Sequence, residues 1–268
     1  MTSNLLKLWA FIQRDFLSEV SYRASFLMSV AGMFFSLLAF FFVTKMIDPR
    51  TAGLDGVPPF DWLLVGLAFQ FYFSTALYSF SRRVRNEQLL GTLEAMLVTP
   101  TPTAMVVFSS AAWDFVYGGM RVLLYMLFAT LVFGVHLEVA SPLVLGLGVV
   151  LTLLSSAGLG ILSASFILYF KRADPINFLL SGTTTFLGSV FFPVELLPSW
   201  VRPLSEYLPV TWSLRIVRGG LLQGRSLADL RTELIMLALL TAVLLPGGLV
   251  SSRFAIRRAK REGTLVQY

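Results

Sequence analysis

The sequence holds little raw material for covalent or metal chemistry. It has no cysteine and one histidine, His136. That excludes disulfides, thiolate metal sites and cysteine nucleophiles, and it leaves no set of partners for a histidine-based triad. An intramembrane aspartyl protease would need two aspartates in its spans, where only Asp114 qualifies, and a metalloprotease would need clustered ligands. An intramembrane enzyme is therefore a remote alternative. The informative spacing is of another kind. Leu89, Leu93 and Leu97 recur at i, i+4 and i+8 with Leu90 beside them, and Pro100 and Pro102 end the pattern. Such a ridge fits a groove on another protein. It also fits a lipid surface, to which Arg82, Arg83 and Arg85 would add attraction, and periodicity leaves both open. Asp114 and Arg121, seven residues apart, would share one helix face about 10 Å apart along the axis. Charges inside a membrane are functional candidates by default. One acid and one base also suffice to neutralise each other across packed helices, and that structural pairing is the favoured reading.

The elements that must position these residues follow from composition. Of 268 residues, 56% are hydrophobic and 13% charged, where a soluble domain carries about 25% charged residues. The chain is expected to be an all-α, polytopic membrane protein. Six stretches approach the roughly 20 apolar residues needed to cross a bilayer: 24–44, 62–81, 104–133, 142–170, 175–192 and 234–252. Only Asp114 and Arg121 of the 36 charges fall inside them. The fourth stretch is rich in small residues, among them Gly146, Gly148, Gly158 and Gly160, which let helices approach closely.

Lysines and arginines set the orientation. The N-terminal segment, the 82–103 loop, the 171–174 turn and the tail hold 3, 3, 2 and 5 of them. The other side has Lys45, Arg50 and a long segment, 193–233, whose charges count for less. Both termini are expected in the cytoplasm. The net charge of +6 then reflects this asymmetry, and no nucleic-acid partner is expected. The first 23 residues carry Lys7, Arg14, Asp15, Glu19 and Arg23, which predicts no secretory leader. Leu5, Trp9, Ile12, Phe16 and Val20 instead recur at helical spacing. That pattern fits an amphipathic helix lying flat in the headgroup region, or equally one packed on protein. In the segment 193–233, Pro193, Pro198, Pro203 and Pro209 interrupt apolar runs. Short outer half-helices sheltered by protein are expected there, not a span.

The run Arg85-Asn86-Glu87-Gln88-Leu89-Leu90-Gly91-Thr92-Leu93-Glu94-Ala95-Met96-Leu97-Val98-Thr99-Pro100 resembles the signature of type-2 ABC exporter permeases. In that family a Glu, a Gly-Thr-Leu-Glu core and a closing Thr/Ser-Pro occupy the loop between the second and third spans. Phe192-Pro193-Val194-Glu195-Leu196-Leu197-Pro198, Leu208-Pro209-Val210-Thr211 and Arg218-Gly219-Gly220 resemble the outer half-helices of its drug and lipid exporters. The resemblance covers the whole chain. It implies that the 84–100 loop, through Glu87, Gln88, Leu89, Leu90, Gly91, Thr92, Leu93, Glu94, Leu97, Thr99 and Pro100, docks on a separate ABC ATPase. It also implies a second permease copy, identical or related. No Gly-Lys dipeptide occurs, so this sequence holds no P-loop and no cofactor is expected in it. ATP and Mg would be bound by the partner subunit.

In the family the first, second and fifth spans of two protomers enclose the substrate route. Here the second stretch places Phe69, Tyr72 and Phe73 on one face and Gln70, Ser74 and Tyr78 near the other. The fifth offers Asn177, Ser181, Thr183, Thr184 and Thr185. The expected function is export of a hydrophobic or amphipathic cargo (a drug-like molecule, lipid or lipid-linked product) across a prokaryotic cytoplasmic (inner) membrane. A permease for polysaccharide, O-antigen or teichoic-acid export is the alternative.

Overall fold

A computed structural model describes residues 9, 12, 13, 16, 17, 23–48, 54, 56–89, 103–139, 141–170 and 174–262. All of its regular elements are helices: α1 (Arg23–Thr44), α2 (Pro59–Leu89), α3 (Thr103–Phe133), α4 (Pro142–Phe170) and α5 (Asp174–Leu187). A 3-10 turn at Val194–Leu196 follows, then α6 (Arg202–Glu206), α7 (Pro209–Leu222) and α8 (Arg231–Glu262). Pro59, Pro142 and Pro209 each open a helix, where a missing amide proton costs nothing and the fixed φ is already helical. Near the N-terminus the described residues Trp9, Ile12, Gln13, Phe16 and Leu17 are helical. The Phe16 ring meets Trp113 of α3 edge-on at 5.4 Å.

Among the described residues five helices, α1, α2, α3, α4 and α8, are long and apolar enough to cross a membrane. Three stretches differ from the sequence expectation, one of them the last, expected over 234–252 and helical from Arg231 to Glu262. The second helix does not stop at residue 81 but runs to Leu89. Arg82–Leu89 contains no proline or glycine, so charge ends the hydrocarbon-compatible stretch without ending the helix. Its 31 residues reach about 46 Å, well beyond the ~30 Å hydrocarbon. The fifth stretch, expected as one span over 175–192, is a helix only to Leu187. At 14 residues it is about 21 Å long. Ser189 turns the chain off the helix axis with a φ of 62°. Gly188, Ser189 and Val190 are buried in protein, the one setting in which non-helical backbone is tolerated at membrane depth.

α2 is the hub. The apolar part of α2 is 72% buried, against 11% for α1 and 17% for α3 and α8. One end joins α1 and α3 through Leu37, Leu64 and Tyr125; the other joins α3, α4 and α8 through Phe80, Ala111, Ile161 and Ile256. Between them Val65, Phe69 and Phe73 pack on Val210, Leu214 and Val217 of α7. α7 is buried over most of its length, because Ile216 and Trp212 also wedge against Val144 of α4 and Leu237 of α8.

α4 and α8 cross closely at a pair of glycines. A Cβ on Gly158 would stand 2.7 Å from the Leu244 carbonyl carbon, and one on Gly248 would stand 2.6 Å from the Gly158 oxygen. Gly247, one residue away, has no atom within 4 Å of its Cβ position. Gly158→Leu is expected to overpack this crossing by about 1–3 kcal/mol and lower the melting temperature in detergent by roughly 5 °C. Gly247→Ala should leave it unchanged. Equal melting of the two variants would contradict the close crossing.

Candidate functional site

α2 carries Glu87, Gln88 and Leu89 at its tip, and α3 begins at Thr103, so thirteen residues join the two. The side chains of Glu87, Gln88 and Leu89 lie outside the described residues. So do Leu90, Gly91, Thr92, Leu93, Glu94, Leu97, Thr99 and Pro100, and with them the leucine ridge. The structure therefore places the ends of the expected docking loop: two unbroken helices that any force on the loop must turn or translate.

A polar seam runs between α2 and α5. Gln70 Nε2 donates to Thr185 Oγ1 at 2.6 Å, and also to Ser74 Oγ at 3.3 Å. Thr185 Oγ1 in turn donates to the Ser181 carbonyl at 2.7 Å. Eight residues along each helix, Tyr78 Oη donates to the Asn177 carbonyl at 3.2 Å. The helices are antiparallel, so Ser74 and Ser181 fall at one level between these two contacts. Ser163 Oγ of α4 donates to Asn177 Oδ1 and ties the seam to the core. In hydrocarbon such pairs contribute about 0.6 kcal/mol each on average, because the same groups also find partners when the helices are apart. Beside the seam, α5 exposes Phe178, Thr183 and Phe186 and α2 exposes Phe71, while Thr184 is buried.

Three of the residues expected along a substrate route sit differently. Phe69 and Phe73 are buried against α7. Tyr72 is buried too, facing Gly118 of α3, whose Cβ position lies 3.3 Å from its ring. The route-side candidates thus divide: Asn177, Ser181 and Thr185 meet at the seam, Thr183 faces outward, and the aromatic face fills the core. On α3, Asp114 is half-buried, and the Arg121 guanidinium lies over the rings of Phe71 at 5.5 Å and Tyr117 at 5.8 Å.

The most heavily engaged side chain is Arg218, on α7 and 2% exposed. Its Nη1 donates to the Ser189 carbonyl at 2.6 Å, its Nη2 to Val190 at 2.9 Å and to Trp62 at 3.0 Å, and its Nε to Trp62 at 3.3 Å. Nη1 also reaches Ser189 Oγ at 3.3 Å. The guanidinium lies 3.8 Å above the Trp62 ring, where a desolvated cation gains about 2 kcal/mol. Gly66 makes the fit possible, since a Cβ there would collide with the Val190 oxygen and with Nη2 of Arg218. One side chain therefore holds the left-handed Ser189, the frayed end of α5 and the first turn of α2. Among sequence signals, only the Arg218-Gly219-Gly220 resemblance pointed here. Nothing local announces that a half-helix arginine will reach carbonyls 28 to 156 residues away.

Arg218→Met should strand three carbonyls at a cost of about 1–3 kcal/mol each, the loss when a buried acceptor is left without its donor. Thermal unfolding in detergent should fall on the order of 10 °C. Arg218→Lys should not restore it, because one ammonium cannot span a planar fork of acceptors. Wild-type melting in either variant would contradict this role.

Residues 7–222 match the family described as ABC-2 type transporter. The chain is also similar to the inner membrane transport permease YadH of Escherichia coli (strain K12), at 24% identity over 188 residues, covering 69% of this chain and 72% of the relative. The YadH proteins of Escherichia coli O157:H7 and Shigella flexneri match over the same shares at the same identity. The family match spans four fifths of the sequence and takes in the polar seam, both ends of the α2–α3 loop and Arg218. This chain belongs to the ABC-2 type transporter family and is a transmembrane permease subunit of an ABC transporter.

Proposed function

We propose that this permease exports a hydrophobic or amphipathic molecule from the cytoplasm or inner leaflet of a prokaryotic inner membrane, with both termini cytoplasmic. ATP, with Mg, is hydrolysed on a separate ABC ATPase subunit docked on the 84–100 loop, and two permease copies form the working unit. The observation that carries this reading is the continuity of α2 from Pro59 to Leu89. A helix of about 46 Å links the loop to the α5 seam and to Arg218 at its far end. A displacement of the loop is thereby delivered to the side chains that flank the route. The exposed apolar side chains of α5, with the hydroxyl of Thr183 beside them, supply a surface suited to an amphipathic cargo.

Leu93 sits in the middle of the leucine ridge. Burying a leucine in a partner's groove contributes about 1.5–3 kcal/mol. Leu93→Arg is therefore expected to weaken ATPase co-purification by roughly one to two orders of magnitude, at about 1.4 kcal/mol per tenfold, and to abolish export. Membrane insertion should be normal. Full co-purification and full export in this variant would overturn the docking assignment. For the route, a cysteine at position 183 should react with a water-soluble maleimide in at least one nucleotide state, and one at 184 should not. The reverse pattern would remove α5 from the route.

A further inference from the structure

We propose that the cavity beside α7 binds a phosphate ester carrying a primary ammonium group, the headgroup chemistry of phosphatidylethanolamine. The cavity holds about 410 Å³ and opens at the end of the helices opposite the α2–α3 loop. Its charged lining comprises Arg215, Arg218 and Arg225 together with Glu195 and Glu233. The five groups are not equivalent. Arg218 spends its donors on backbone carbonyls and contributes charge alone. Arg215 is laid against the Trp212 ring at 4.7 Å, itself fixed by the bond from Trp212 Nε1 to the Glu206 carbonyl at 2.7 Å. Arg225 is held by its own amide, which donates to the Gly219 carbonyl at 2.9 Å, and by its stem, whose Cδ lies 3.3 Å from the Cβ position of Gly219. Asp229, the acid beside Arg225, already accepts two bonds from Ser226 at 2.7 and 2.9 Å.

Two guanidinium forks are therefore presented to the cavity from α7 and the turn after it, a geometry matched to phosphate oxygens. In the same cavity, at the first turn of α8, Glu233 Oε2 is buried without a hydrogen-bond partner among the described residues. A dehydrated carboxylate oxygen demands a donor. Guanidinium forks and a bare carboxylate acceptor lining one cavity suit a ligand with its own separated charges, the phosphate taken by the arginines and the ammonium by Glu233. The inference stands apart from the exporter reading, since it concerns binding at rest without ATP.

The test uses the full chain in phosphatidylcholine nanodiscs, with tryptophan fluorescence as the readout because Trp62 lines the cavity and Trp212 lies under Arg215. The titrants are dihexanoyl-phosphatidylethanolamine, dihexanoyl-phosphatidylglycerol and O-phosphoethanolamine. The ethanolamine lipid should bind more tightly than the glycerol lipid. Arg215→Gln and Arg225→Gln should each weaken it at least tenfold, and Arg225→Lys, which keeps the stem and the charge, at least threefold. Glu233→Gln should erase the preference for ethanolamine while leaving glycerol-lipid binding within threefold. Tighter binding of the lipid than of O-phosphoethanolamine assigns a membrane source, equal binding a soluble one, and both uphold the chemistry. No saturable signal, unchanged affinity in the arginine variants, or a preference that survives Glu233→Gln would overturn it.

Discussion

A buried guanidinium bonded to three backbone carbonyls is the constraint on which the rest of this structure depends. A helix that stops inside a membrane protein leaves carbonyls without partners, and no water is at hand to satisfy them. Here α5 stops at Leu187 and the chain turns at Ser189. Arg218 answers the buried oxygens of Ser189 and Val190 and adds the Trp62 carbonyl of α2. The arginine can remain buried because it is saturated, and the broken helix can remain broken because the arginine is there.

From that junction the arrangement of the other elements follows. α7 must lie against α2 for Arg218 to reach, and this close approach buries Phe69 and Phe73 under Val210, Leu214 and Val217. With its aromatic face occupied by α7 and its ends packed on α1, α3, α4 and α8, α2 is left with one polar line, Gln70, Ser74 and Tyr78, for α5. α5 is fixed at Ser189 and Val190 and along the seam, while its other face stays open. In the proposed exporter this makes α2 the lever: gripped at its α7 end, extended past the apolar region to Leu89 at the other, and touching the route helix between them.

The sequence was legible where one rule governs. Long apolar runs bounded by proline and charge located α3 and α4 to within a residue, since hydrophobic length is decisive for a span. The proline spacing in 193–233 announced short helices, because proline can open a helix but not continue one. Legibility failed where a distant partner decides. The stop at Leu187 depends on Arg218, which takes the Ser189 and Val190 carbonyls from a distant helix. The overrun of α2 past residue 81 was hidden because hydropathy marks the end of a membrane stretch and not the end of a helix. Periodicity sorted the faces of α2 correctly but could not say which face meets the core. The aromatic residues Phe69, Tyr72 and Phe73 are therefore buried, and the polar line beside them became the seam. The expected docking motif rests on resemblance to a family, which periodicity alone could not have supplied, and its residues from Leu90 to Pro100 lie outside the described ones.

The central claim is that α2 moves as one rigid body between the ATPase-docking loop and the α5 seam. It is tested most directly by spin-label distances in the assembled transporter with and without ATP. Positions 71 and 86, both exposed on α2, should stay about 22 Å apart along the helix axis in every nucleotide state. The distance between position 86 and position 257 on α8 should change when ATP binds. A change within the 71–86 pair, or an unchanged 86–257 distance through the cycle, would contradict the account.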